Sequence, residues 1–292
     1  MINEKEIFKK VLKIEIHARF LADQLFTGKY SSSFKGKGIE FSEVRPYAPG
    51  DDVRSIDWNI TARMNYPYVK EFTEERQLSV LFMLDIGASM HFGTTDKSKR
   101  EFASEVASLL AWTSARNGDK VGLILFSGSV EKYIPPRKGR FHIMRIIREM
   151  LYAEPEGRGS DIQGAVEFAS GVFRKRSIIF LFSDFFGFDS ARKLKILSAR
   201  HDVVGLRVRD RSEEKLPDCG MAAVKDSESA KNFFVDFSSP AVRKIFSERV
   251  RAEELMLDSL FHSAGCDLLK LNTDKEYIKP LLNLFRTRSR RR

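Results

Sequence analysis

The chain has 292 residues, 42% hydrophobic and 31% charged, which excludes global disorder and leaves room for one large domain, or one domain with an appendage. Its formal charge of +10 does not describe a nucleic-acid surface, because half of that excess is the five arginines of the terminal RTRSRRR, residues 286–292. The rest is spread thinly, so no specific nucleic-acid partner is expected.

In chain order, the first regular element is an amphipathic helix. Over residues 4–27, Ile7, Val11, Ile14, Ala18, Leu21 and Leu25 recur at steps of four and three, Asn3 and Glu6 resemble a capping pair, and Gly28 supplies a stop. The N-terminal helix is therefore assigned to 1–30, docked on its own domain or zipped against a partner helix. Residues 31–77 show no sustained period and are punctuated by Pro46, Pro49-Gly50-Asp51 and Asn65-Tyr66-Pro67, with short extended pieces at GIEFSEV and YVKEFT. Their aromatic content, Trp58 above all, predicts a packed segment with Trp58 buried. Arg45, Arg54 and Arg63 are expected to pair with carboxylates among Asp51, Asp52 and Asp57.

From residue 78 strands and helices alternate. LSVLFMLD, KVGLILFS, SIIFLFSD, DVVGLRV and CDLLKLN read as strands, and VEKYIP as a short hairpin edge. Helices are predicted over 98–117, FHIMRIIREMLY, 161–174, 189–200, 240–264 and 275–287. Strands apolar on both faces, alternating with helices, predict an α/β fold over 78–287: a doubly wound, mainly parallel sheet with helices on both faces. Residues 288–292 remain as a basic tail, either a solubilising end or a contact for phosphates or anionic lipid. Cys219 and Cys266 form no CxxC pair, no secretory leader pattern is present and no apolar run approaches the ~18 residues of a membrane span. A cytoplasmic, soluble protein is expected.

In such sheets ligands bind beyond the carboxyl ends of the strands, where the winding reverses. Two predicted strands end on acids, Asp85 in VLFMLDIGASM and Asp184 in FLFSDFF. Between them GRGSDIQGA offers Ser160 and Asp161, which are either helix caps or further oxygen donors. Carboxylates and hydroxyls without His or Cys suit a hard cation such as magnesium.

These residues carry a resemblance. Asp85-x-Gly87-x-Ser89, a later Ser160 and a later Asp184 resemble the metal-ion-dependent adhesion site of von Willebrand factor A domains, Asp-x-Ser-x-Ser followed by a Thr and an Asp. The stretch FKGKGIEFSEVRPYAPGDDVRSIDWNITAR with PYVKEF, together with NGDKVGLILFS and IPPRKGR, closely resembles the bacterial domain-of-unknown-function family numbered 58, whose members carry such an A-like domain. The resemblance covers nearly the whole chain. It implies a magnesium site at Asp85, Ser89, Ser160 and Asp184, degenerate because Gly87 stands where the pattern has a hydroxyl. It also implies a non-enzymatic protein–protein interaction module, an adaptor or co-chaperone acting with a MoxR-type AAA+ ATPase. The alternative is a magnesium- or manganese-dependent phosphoesterase using Asp85 and Asp184. Against it, the histidines are scattered, His91 being the nearest to the acids, and no GxxxxGK[ST] loop occurs.

Overall fold

The computed structural model describes residues 12–14, 16–18, 20–22, 40–73, 78–216, 218–225 and 232–290. The chain divides into two compact units, one of residues 35–77 and one of residues 1–34 with 78–292.

In the smaller unit, strand β1 (Glu40–Pro46) pairs antiparallel with β2 (Tyr68–Thr73). Helix α1 (Trp58–Met64) lies between them in sequence. Asp57 caps it by accepting from the amides of Asn59 and Ile60, and Asn65 ends it in the left-handed conformation at φ 53°. Arg45 grips Asp51 with two parallel hydrogen bonds of 2.7 and 2.8 Å. With the Ala48 amide, these hold the Asp51 carboxyl down at about 2. Two expectations are corrected here. Trp58 is exposed, because it opens a seven-residue helix that buries none of its side chains. Among the described residues Arg54 and Arg63 pair with no carboxylate, since Asp52 and Asp57 are used as helix caps.

The larger unit holds a six-stranded sheet. Its strands are β3 (Ser79–Asp85), β4 (Lys120–Phe126), β5 (Val130–Arg137), β6 (Ile178–Ser183), β7 (Asp202–Arg209) and, after the hairpin β8 (Met221–Lys225) and β9 (Asn232–Asp236), β10 (Asp267–Asn272). The order is β10-β7-β6-β3-β4-β5, parallel except for the edge strand β5. The chain winds outward from β3 through β4 in one direction and through β6, β7 and β10 in the other, so the switch point lies between β3 and β6.

Helices α2 (Lys99–Arg116), α3 (Arg140–Tyr152), α4 (Ile162–Val172), α5 (Ala191–Arg200), α6 (Pro240–Ser263) and α7 (Ile278–Arg290) cover the sheet. Alternation along each strand sends Val80, Phe82 and Leu84 of β3 to the core under α2, α3 and α7, and Leu81 and Met83 to the core under α4, α5 and α6. Ile14, Ala18, Leu21 and Ala22 pack into the first core; Ile7, Val11, Leu25 and the expected caps lie outside the described residues. Helix α2 is buried nearly all round, and its polar residues bond back to the helix: Ser108, Thr113 and Ser114 donate to carbonyls one turn earlier.

The basic tail also needs correction. Helix α7 continues through Arg290, and Arg288 is buried, donating to Asp202 and Asp267 at the amino ends of β7 and β10. It extends the stripe of Leu281 and Phe285 and is tolerated there because two carboxylates receive it.

Candidate functional site

Strand β3 carries its last side chain, Asp85, into a fully buried position at the sheet rim. A carboxylate taken out of water needs donors. Oδ2 of Asp85 accepts from the Ser160 hydroxyl at 2.5 Å and the Ser183 hydroxyl at 2.7 Å, and Oδ1 from the Gly87 amide at 2.9 Å. Burial, followed by the charge of Asp184, outweighs these bonds and pushes the Asp85 carboxyl up to about 6.

Asp184 follows β6 directly, across the switch point. Its Oδ2 accepts from Lys99 Nζ at 2.8 Å and its Oδ1 from the Phe186 amide at 3.1 Å, and the Ser89 side chain lies near enough to favour its charge. Burial by itself would raise this carboxyl, but Lys99 and the hydrogen bonds hold it below the ordinary range. Lys99 is fully buried at the first position of α2 and also donates to Glu213 Oε1 at 2.5 Å. Burial pulls its ammonium down; the two carboxylates win and raise it. Asp85 is thus bonded to Ser160, Asp184 has Ser89 beside it, and the two carboxylates sense each other electrostatically.

Ser183, Lys99 and Glu213 lie outside the residues expected from the sequence. Lys99 does leave a signal there: it continues the stripe Phe102, Val106, Leu109 and Thr113 by one helical step, so a charge stands on a face otherwise inside. Asp161 is settled as a cap. It closes the start of α4 by accepting from the Gly164 amide at 2.9 Å, leaving Ser160 free to turn to Asp85.

The loops at the rim are joined backbone to backbone. The Ala88 amide donates to Arg158 O at 2.9 Å and the Asp161 amide to Ser127 O at 2.6 Å. Gly87 sits so close to the second loop that a Cβ there would lie 2.6 Å from the Gly159 carbonyl oxygen. A serine therefore does not fit at 87 without moving backbone, which explains the departure from the adhesion pattern. A further anchor is Asp210, fully buried after β7. Its carboxylate accepts from the Thr94 amide and hydroxyl at 2.8 and 2.6 Å, the Ser212 amide and hydroxyl at 2.9 and 2.8 Å, and the Thr273 hydroxyl at 3.2 Å. One carboxylate thereby ties together the loops that follow β3, β7 and β10.

The donor set fits a small hard cation: two carboxylates and three hydroxyls, all oxygen. Charge points the same way, for Asp184 and Glu213 share the ammonium of Lys99, and among the described residues Asp85 pairs with no cation. His91 does not join the acids. It is exposed, and the charges acting on it are those of Arg100 and Glu101. Beyond Ser89 and Asp184 the rim opens into a pocket of about 890 Å³ walled by Phe186, the β8–β9 hairpin and the amino-terminal half of α6. Among the described residues no helix is long and apolar enough to cross a membrane.

The chain is 30% identical over 295 residues to the uncharacterized protein Rv1480 of Mycobacterium tuberculosis, a match covering 99% of this chain and 92% of that one. The uncharacterized protein YeaD of Bacillus subtilis is 29% identical over 112 residues, 38% of this chain and 26% of YeaD. Among solved structures, the conserved hypothetical protein BatB from Bacteroides thetaiotaomicron superposes with a TM-score of 0.50 at 17% identity, over 73% of this chain and 99% of BatB. An aerotolerance-related membrane protein from Bacteroides fragilis gives 0.51 at 16%, over 74% and 100%. At such identities the likeness is one of fold alone, a mainly parallel sheet with helices on both faces. The family model described as "Protein of unknown function DUF58" matches residues 43–255, most of the chain, and the protein belongs to that family.

Proposed function

We propose that the rim formed by Asp85, Ser89, Ser160 and Asp184 is a docking site for an acidic side chain of a partner protein, completed by a magnesium ion. One observation carries this reading: buried carboxylates and hydroxyls converge at the switch point with less positive charge than they need, and that rim opens directly onto a large pocket. Asp85, Ser89 and Ser160 would hold the ion, with Asp184 behind them. When bound, the ion supplies a Lewis-acid position for a partner carboxylate. The residues of the chain do the rest. Ser183 and the Gly87 amide orient Asp85, Lys99 fixes Asp184, and the interlocked loops hold the hydroxyls in place before any partner arrives.

The protein then acts as a non-enzymatic adaptor or co-chaperone, and a MoxR-type AAA+ ATPase is the partner we name for it. A cytoplasmic setting is supported by two cysteines that are both free thiols, Cys219 on the surface and Cys266 buried.

The test is binding of the full-length chain to a purified MoxR-type ATPase by calorimetry, in magnesium and in chelator. Affinity at least tenfold tighter in magnesium, and lost with Asp85→Ala, supports the reading. Equal affinity in chelator, or an unaffected variant, removes the rim from the interface. Magnesium-dependent phosphatase or nuclease turnover abolished by Asp85→Ala would replace docking with catalysis.

A further inference from the structure

The pocket beside the rim has two ends of opposite need. At the rim end two carboxylates, Asp184 and Glu213, share Lys99. At the α6 end two guanidinium groups share one carboxylate: Arg209 Nη2 donates to Glu253 Oε2 and Arg249 Nε to Glu253 Oε1, each at 3.1 Å. Arg209 is almost wholly buried, and its Nη1 has no hydrogen-bond partner among the described residues. Arg249 stands on the exposed side of α6, its side chain 69% accessible. A buried guanidinium nitrogen without an acceptor is costly, and an accessible arginine held by the same carboxylate completes a fork suited to a carboxylate.

Between the two ends the walls are apolar, contributed by Phe186, Phe237, Phe246 and Val250. The volume, about 890 Å³, lies within the roughly 300–1,000 Å³ of sites that enclose several side chains or a small ligand. The β8–β9 hairpin that forms one wall also carries exposed Met221, Phe233 and Phe234. Apolar surface that continues outward from a pocket suits a polypeptide rather than a small solute.

We infer that this pocket receives a partner segment in which an acidic residue lies beside an aromatic or large aliphatic one, the carboxylate going to Arg209 and Arg249 and the apolar side chain to Phe186, Phe237 and Phe246. This rests on the docking reading above and adds a second contact to it. The rim takes one acid through a metal, and the arginine end takes another without one. The pairing also gives direction, because a segment entering the other way round would bring its acid toward the carboxylates of Asp184 and Glu213.

The test is a selection of displayed eight-residue peptides on the full-length protein in chelator, which silences a metal at the rim. Selected peptides should place Asp or Glu within two residues of Phe, Trp or Leu. A synthetic peptide from that selection should lose at least tenfold in affinity with Arg249→Glu and with Phe246→Ala. It should bind Lys244→Glu as well as the unaltered protein, since Lys244 lies on the same helix, exposed, and does not line the pocket. Failure to select any peptide, selected peptides without an acid, or equal loss with Lys244→Glu would overturn the inference. Its failure is separable from that of the rim. Magnesium-dependent partner binding with no acidic selection leaves the rim reading standing, and acidic selection with magnesium-independent partner binding does the reverse.

Discussion

Replacing Asp85 by asparagine removes a charge that the metal-free fold holds at a cost. The side chain is fully buried, and its carboxyl is raised from 3.8 to about 6 by burial and by Asp184. At roughly 1.36 kcal/mol per pH unit that difference is about 3 kcal/mol of stability missing at neutral pH. The sign follows from proton counting. A carboxyl that binds its proton more tightly when folded contributes stability below about pH 4, and loses it as pH rises through about 6. The introduced side-chain carbonyl can still accept from the Gly87 amide, but the hydroxyls of Ser160 and Ser183, which both donate to Oδ2, must turn to accept from the new amide group, so a net gain of about 1–2 kcal/mol is the better expectation. Urea denaturation in chelator should therefore show Asp85→Asn to be more stable than the unaltered protein at pH 7, with the gap closing by pH 4. Magnesium should reverse the ranking by raising the midpoint of the unaltered protein alone. A variant less stable than the unaltered protein at pH 7 in chelator would refute the reasoning, because the carboxylate would then already be compensated.

Three further outcomes follow from the same geometry. Lys99→Met leaves Asp184 and Glu213 without their shared cation in a buried site, and chemical denaturation should register a loss of about 3–5 kcal/mol, reduced when Asp184→Asn is added. Gly87→Ser restores the adhesion pattern, yet its Cβ meets the Gly159 carbonyl at 2.6 Å; it should cost about 1–3 kcal/mol in the same assay and leave magnesium affinity by calorimetry no tighter. Arg288→Ala removes the buried guanidinium that Asp202 and Asp267 share at the foot of the sheet, so its thermal midpoint should fall by several degrees, whereas Arg286→Ala on the same helix should leave it within a degree.

The sheet and its rim are legible in the sequence because burial writes itself into apolar periodicity. Strands such as VLFML and IIFLF are apolar on both faces, which is possible only between two helical layers, and acids directly after them fall at one edge of that sheet. What periodicity does not encode is a charge made tolerable by a partner distant in sequence. Lys99 needs Asp184, 85 residues away, and Arg288 needs Asp202, 86 residues away, so the apolar stripe shows where each stands but not what makes it tolerable there. Trp58 fails in the opposite sense, since bulk and aromaticity predict burial, but a seven-residue helix without a buried face cannot provide it. The β8–β9 hairpin escapes detection because MAAVK and NFFVD are short and largely exposed, with none of the strict alternation that marks a half-buried strand.

Gly87 and Ser160 are best understood as one device. In the adhesion pattern the residue at 87 would itself offer a hydroxyl. Here its missing side chain lets the loop carrying Gly159 come into contact, and the bond from the Ala88 amide to Arg158 O holds that loop in place. The residue that follows Gly159 is Ser160, whose hydroxyl then reaches Asp85 at 2.5 Å. The missing side chain removes one oxygen from its own loop, and the close contact holds the oxygen of the neighbouring loop, which the pattern supplies as a Thr, under backbone constraint. If the rim works as proposed, it would hold its ion with fewer side-chain ligands but less freedom to lose on binding, and preorganisation of that kind would favour a partner that completes the shell over a metal bound alone.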